Sequence, residues 1–168
     1  VYCNGADMIK NFQRIKSVIG FVPQQDIIYE NLTLERMLEY SSRLRMPKDT
    51  DTVERKKRIK EVLKMVDLEG QKNTLIRKLS GGQKKRASIA VELLADPKLF
   101  FLDEPTSGLD PGTEKNLMIS LKTLARQHGK TIIMVTHTTA NLHLCDKILF
   151  MGPGGKLCFC GNVKEAKK

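Results

Sequence analysis

Four short apolar runs, Val18–Val22, Leu99–Leu102, Thr131–Val135 and Lys147–Met151, stand out along the chain. They are continuous rather than alternating, so each is expected as a strand buried on both faces, the habit of parallel sheets. A helical stretch, Pro111 to His128, separates the second run from the third. Pro111 suits its first turn, Gly129 suits its C-terminal stop, and Leu117, Leu121 and Leu124 form one apolar stripe. Strand, helix, strand in that order predicts a parallel α/β layer. Gly152-Pro-Gly-Gly155 then predicts a turn, and Lys156–Cys160 a strand that pairs back antiparallel.

Between residues 33 and 93 the period changes. Thr33 is placed to cap a helix running through Leu44, and Pro47 breaks it. A second helix, from Thr52, carries Ile59, Val62, Leu63 and Val66 at i, i+3, i+4, i+7 spacing. A third follows Ser80, with Ala87, Ala90, Val91 and Leu94 at the same spacing. The expected organisation is an α/β core formed by residues 1–32 and 94–168, with residues 33–93 as a helical subdomain inserted into it. Near the end, Asn162 and Glu165 read as the capping box of a helix just beginning. With Val1 rather than Met at the start, the chain is expected to be a fragment cut at both ends.

The length of 168 residues allows one domain with a real core. No apolar run approaches the roughly 18 residues of a membrane span, and no signal peptide is visible, so the chain itself is expected to be soluble. Cys3, Cys145, Cys158 and Cys160 have no CxxC pairing or zinc-ligand spacing, and read as reduced, ordinary buried thiols. Cys158 and Cys160 share one face of a strand, which leaves a metal or redox pair as the minor reading. The 29 basic and 19 acidic residues give a net charge of +10, which raises nucleic acid as a partner. The charge gathers in Arg55-Lys-Lys-Arg58 with Lys60, and in Arg77, Lys78, Lys84, Lys85 and Arg86. There is no Trp, and no aromatic interleaves these runs, so bases have no stacking platform. A solvated helix face, or attraction for anionic phosphate, is the better reading, and no nucleic acid is expected.

Two runs carry chemistry. Leu99-Phe-Phe-Leu-Asp-Glu-Pro-Thr-Ser-Gly-Leu-Asp110 ends a buried strand in two carboxylates, Asp103 and Glu104. The C-terminal end of a strand is where open α/β sheets bind ligands, and paired acids there suit a metal-bound phosphate and an attacking water. Leu79-Ser-Gly-Gly-Gln-Lys-Lys-Arg-Ala-Ser88 opens a helix with Ser80, a strong N-cap. Gly81 and Gly82 follow, letting backbone N–H groups approach a phosphate with no Cβ in the way. Gln24 or Gln25 in Ile19-Gly-Phe-Val-Pro-Gln-Gln25 offers a neutral amide after a strand. His137 closes Met-Val-Thr-His. His128 and His143 have no comparable context.

In this order and spacing the runs resemble the ATP-binding cassette (ABC) ATPases of membrane transporters, over nearly the whole chain. The resemblance implies a P-loop NTPase fold of RecA-like type with a helical insertion, binding ATP and Mg²⁺. By it, Asp103 holds Mg²⁺ and Glu104 is the general base. Gln24, fixed in register by the Val-Pro-Gln pattern, is the Q-loop residue and a second Mg²⁺ contact. His137 is the switch histidine on the γ-phosphate. Ser80, Gly81, Gly82 and Gln83 form the signature, which contacts the nucleotide of a second nucleotide-binding domain packed head to tail, and Asp110 crosses that interface. A transmembrane permease domain, fused in many such proteins, would place the chain at the cytoplasmic face of a membrane.

The phosphate-cradling Gly-x-x-x-x-Gly-Lys-[Ser/Thr] does not occur within residues 1–168. Gly129-Lys130-Thr131 is a decoy, since Leu124 stands five before Gly129 and the segment follows a helix and precedes a strand. The P-loop is therefore expected upstream of Val1, and the 168 residues alone are expected to hydrolyse ATP negligibly. Ser-Gly-Gly-Gln-Lys-Lys-Arg, Asp-Glu-Pro-Thr-Ser-Gly-Leu-Asp and the Gly-Pro-Gly-Gly hairpin resemble the eye-pigment-precursor (G) type of exporter cassette, from which Thr136-His-Thr-Thr139 departs. Two other readings stay open: a cassette serving a non-transport machine, and a non-catalytic interaction module. No heptad run lies between Gln24 and Ser80, which speaks against chromosome-type members with their long coiled-coil insertion.

Overall fold

The computed structural model describes residues 2–3 and 5–167. It opens with a hairpin of β1 (Tyr2–Cys3) on β2 (Ala6–Asp7) and a single-turn helix, α1 (Phe12–Ile15). Such short elements carry no readable period, and none was expected from the apolar pattern. β3 (Ile19–Val22) leads to three helices, α2 (Leu34–Arg45), α3 (Thr52–Met65) and α4 (Gly81–Leu93). Then come β4 (Leu99–Asp103), α5 (Pro111–Gln127) and β5 (Thr131–Val135), and a closing hairpin of β6 (Ile148–Gly152) on β7 (Lys156–Gly161). The box formed by Asn162 and Glu165 is present, and it caps one 3-10 turn rather than an α-helix.

Local chemistry explains where the helices begin. Thr33 and Asp51 each accept a hydrogen bond from the backbone N–H three residues on, starting α2 and α3. Ser80 and Gln83 form a reciprocal capping box at the head of α4. The residue that ends α5 cleanly is Gly129, whose φ of +60° needs no Cβ. Thr131 then begins β5, so Gly129-Lys130-Thr131 is a helix stop and not a phosphate loop.

β3, β4 and β5 form a parallel sheet in that order, with Val22 opposite Leu102 and Asp103 opposite Val135. Parallel strands finish at the same edge, so the turns after Val22, Asp103 and Val135 emerge side by side. That edge carries the site. One apolar cluster joins the sheet to the helices: Val22, Phe100 and Leu102 pack with Leu38, Val62, Ala90 and Leu121.

The strands depart from the expected burial. Gly20, Val22, Phe100 and Leu102 face the helices, whereas Phe21, Ile133 and Val135 on the alternate face are about half exposed. A continuous apolar run implies two covering layers, and the described residues supply one. β5 and β6 are also unpaired with each other. They flank a cleft of about 1110 Å³ whose lining includes Ile133, Val135, Leu149 and Met151.

A charge cluster ties the helical stretch to the sheet. Asp96, between α4 and β4, accepts from Arg58 of α3 at 3.0 Å and from the buried Lys130 ammonium at 2.6 Å. Burial works to raise the Asp96 carboxyl pKa, but the Lys130 hydrogen bond and the Lys130, Arg58 and Lys98 charges outweigh it and hold it below the ordinary 3.8. A depressed carboxylate stabilises the fold above its unfolded pKa and stops doing so as pH falls through its folded pKa. Asp96→Asn is therefore expected to cost about 1–2 kcal/mol at neutral pH, discounted for the half-exposed carboxylate. The difference between variant and wild type should shrink as pH falls below 3.8 and through the lowered folded pKa of Asp96. Urea unfolding at pH 7 and pH 3 checks this.

The cysteines are less buried than expected. Cys145 is half-buried, and burial raises its thiol pKa, helped by the Asp146 charge. Cys158 and Cys160 are exposed, because the β6–β7 hairpin presents their face to solvent. The Cys3 side chain lies outside the described residues. No described helix is long and apolar enough to cross a membrane.

Candidate functional site

Glu104 is the centre of the sheet edge. Its backbone has a φ of +42°, a left-handed conformation that a residue with a Cβ adopts only when its surroundings hold it there. Two hydrogen bonds do so: Glu104 N–H donates to the Val135 carbonyl at 2.9 Å, and Ser107 N–H donates to the Glu104 carbonyl at 3.1 Å. The carboxylate is thereby aimed between the two neighbouring strand ends. Gln24 Nε2 donates to Glu104 Oε2 at 3.0 Å, and His137 Nδ1 lies 3.2 Å from Glu104 Oε1. The latter contact becomes an ion pair when the imidazole is protonated. Gln24, and not Gln25, makes the bond.

Residues 80 positions apart in sequence thus meet on one carboxylate. Asp103 sits beside it at the end of β4, and among the described residues no side chain neutralises or donates to its carboxylate. Glu104 is partly buried and His137 largely exposed, so the carboxylate is held at the base of the site and the imidazole at its mouth.

The signature run lies at the head of α4. Ser80 Oγ accepts from Gln83 N–H, and Gln83 Oε1 accepts from Ser80 N–H at 2.9 Å. The Ser80 hydroxyl proton stays free to donate, and the Gly81 and Gly82 N–H groups belong to the unpaired first turn. The two glycines differ in their reasons. Gly81 is exposed, and a Cβ there would meet only the tip of Leu109, at 3.3 Å. Gly82 is buried, and a Cβ there would lie 2.2 Å from Thr113 Cγ2 in the first turn of α5. Close packing of α4 on α5 is thus one reason for a glycine at position 82. The Asp110 carboxylate caps α5, accepting from the N–H groups of Gly112 and Thr113. Hydrogen bonding from Thr113, by its side chain first and its backbone N–H second, leads the effects that hold the Asp110 pKa below 3.8.

Two buried polar residues were not anticipated. Lys85, read from sequence as part of a solvated basic run, is buried: its ammonium donates to the Gln24 carbonyl at 2.9 Å and lies 2.8 Å from Asp26 Oδ1. The Asp26 contact is ionic, outside hydrogen-bond geometry. Its neighbours are engaged as well, Lys84 with Glu30 at 2.7 Å and Arg86 with Asp67 at 3.4 Å. A signal existed, since apolar residues surround α4 on every side and Lys85 had no free face to occupy. Glu114 is buried too, and its Oε1 accepts from Thr138 Oγ1 at 3.1 Å and Asn141 Nδ2 at 3.0 Å. Nothing in the sequence marked it, because an acid in a first turn reads as an ordinary partner of the helix dipole.

A parallel sheet with paired acids at one strand's C-terminal end and a helical insertion behind them defines a P-loop NTPase fold. Comparison with known proteins makes the class specific. The ABC transporter family model matches residues 1–107, and the chain belongs to this family. It is 42% identical over 157 residues to an ABC transporter ATP-binding/permease protein of Mycobacterium tuberculosis, covering 94% of this chain and 18% of that protein. It is 39% identical to ABC transporter G family member 22 of Arabidopsis thaliana, over 90% of this chain and 21% of that protein. The chain thus spans about a fifth of the length of these curated relatives. Among solved structures, cbiO1 of Clostridium perfringens, described as part of the ABC transporter complex cbiONQ, matches with a TM-score of 0.89 at 29% identity. That match covers 99% of this chain and 66% of that one. A dimeric ATP-binding cassette in a post-hydrolysis state, bound to ADP and Pi, matches with a TM-score of 0.74 at 30% identity over 96% of this chain and 72% of that one.

Proposed function

We propose that this chain supplies the hydrolytic half of a nucleotide-binding domain that hydrolyses MgATP to drive a transporter of the G type. The observation that carries this is the meeting of Gln24 and His137 on Glu104 at the C-terminal edge of a parallel sheet. Glu104 takes the proton of the attacking water, at a carboxylate already oriented by its neighbours. His137, exposed at the mouth, donates to the γ-phosphate and holds Glu104 in line. Gln24 fixes the second carboxylate oxygen and reports occupancy to the helices through the loop that Lys85 anchors.

The donor set fits Mg²⁺. Gln24 uses only its Nε2 on Glu104, leaving Oε1 as a ligand oxygen, and Asp103 offers a carboxylate at the end of β4. No group of three or more His, Cys, Asp or Glu side chains converges among the described residues. That suits an ion that takes few protein oxygens and completes its shell with phosphate and water. When bound, Mg²⁺ offsets phosphate charge.

Ser80, Gly81, Gly82 and Gln83 make sense across a dimer. Their hydroxyl and N–H donors would meet the γ-phosphate held by a second copy or a homologous domain packed head to tail, with Asp110 near the same interface. Within one chain, residues 33–93 would move as a helical subdomain against a core of residues 1–32 and 94–168. The P-loop would lie outside residues 1–168 in the parent protein. The unpaired edges and apolar lining between β5 and β6 support a further strand lying there. A permease domain, fused or separate, would put the assembly at the cytoplasmic face of a membrane. The test is MgATP hydrolysis by the full-length protein, and its loss in Glu104→Gln.

A further inference from the structure

Glu114 has no part in the chemistry described above, yet it is a carboxylate buried without a cation among the described residues. Burying such a charge is costly unless hydrogen bonds satisfy it. Both donors it accepts from, Thr138 Oγ1 and Asn141 Nδ2, belong to the loop that follows β5 and carries His137. Thr138 is tied back in turn, its N–H donating to Thr136 Oγ1 at 3.1 Å. His137 therefore sits between two threonines whose hydroxyls belong to one network, and that network ends on Glu114. Apart from its Glu104 contact, the His137 side chain is largely open to solvent, so its place depends on how its backbone is held.

We propose that Glu114 is a positioning residue: through Thr138 and Asn141 it fixes the His137 loop so that the imidazole stays within reach of Glu104. The inference rests on the site reading given under Proposed function. It also joins two parts of the site, because the preceding residue, Thr113, is the one that packs on Gly82 of the signature helix. The first turn of α5 thus touches the signature with one residue and the His137 loop with the next. A shift of α4 against α5 would reach His137 through this turn.

The experiment compares Glu114→Ala, Glu114→Gln and Glu104→Gln in the full-length protein, reading kcat and KM for MgATP together with thermal unfolding. Glu114→Ala is expected to lower kcat by about tenfold or more with KM changed less than about twofold, the mark of a misplaced group rather than lost binding. Glu114→Gln, whose amide oxygen accepts the same two bonds, should stay within about threefold of the wild type. Should Glu114→Ala fail to fold, Thr138→Val removes one donor alone and is expected to lower kcat by about threefold with KM unchanged. An unchanged kcat in Glu114→Ala, or in Thr138→Val if that is the variant measured, would overturn the proposal. So would an equal loss in Glu114→Gln, or a loss carried by KM. Retained turnover in Glu104→Gln would instead overturn the site reading, and the assignment of Glu114 with it.

Discussion

Replacing Glu104 by Gln is expected to lower MgATP turnover of the full-length protein by about 10²–10⁴-fold while ATP binding persists. The substitution keeps the shape of the side chain and its place between Gln24 and His137. What it removes is the basic oxygen that accepts the water's proton. Because φ at residue 104 is set by backbone bonds to Val135 and Ser107, the variant should keep the turn and its thermal stability. Steady-state hydrolysis and equilibrium binding of a fluorescent ATP analogue separate the two effects. A variant retaining more than about a tenth of wild-type turnover would remove Glu104 from the role of general base.

The second large effect is expected at Gly82. Gly82→Ala forces a methyl to within 2.2 Å of Thr113 Cγ2, so α4 and α5 must part or Thr113 must leave its rotamer. Overpacking of this kind costs about 1–3 kcal/mol, and here it also displaces Ser80 and Gly81 at the head of the same helix. Both stability and turnover should fall. The cause can be isolated, because the next nearest Thr113 atom, Cβ, lies 3.7 Å from the added methyl, an ordinary contact. Thr113→Ser deletes only the clashing methyl, so the Gly82→Ala, Thr113→Ser double variant should recover most of the lost stability. Additive losses in urea unfolding would mean that the cost of Gly82→Ala does not come from the Thr113 methyl.

Much of this site was legible in the sequence, for identifiable reasons. Ser80 as an N-cap, Pro111 in a first turn and Gly129 as a helix stop are local devices, each working within three or four residues, so they could be read without a fold. Placing Asp103, Glu104 and His137 at strand ends needed only the apolar runs and the rule that parallel strands finish together. The resemblance gave Gln24 only as the Q-loop residue and a Mg²⁺ contact; its bond to Glu104 had no signal in the sequence, because nothing at residue level links positions so far apart. Lys85 and Glu114 were missed because their roles are tertiary. A lysine in Lys-Lys-Arg looks solvated until α4 is found buried all round, and an acid in a helix's first turn looks like a dipole partner until the His137 loop closes over it. The alternate sheet face, exposed at Phe21, Ile133 and Val135, shows the reverse case. There the sequence pattern implied a covering layer that the described residues do not contain.

The central claim is that one ATP site is built from Glu104 of one copy and Ser80–Gln83 of another. Complementation tests it directly. Glu104→Gln and Gly81→Asp variants of the full-length protein are each expected to be inactive, the second because an acid at the signature repels phosphate. In a randomly paired equimolar mixture, mixed dimers contain one site with an intact Glu104 facing an intact signature from the other copy. Turnover should return to about a quarter of wild type, since half the dimers are mixed and each holds one good site of two. A mixture as inactive as its components, with mixed dimers demonstrated by differential tagging, would contradict the shared site.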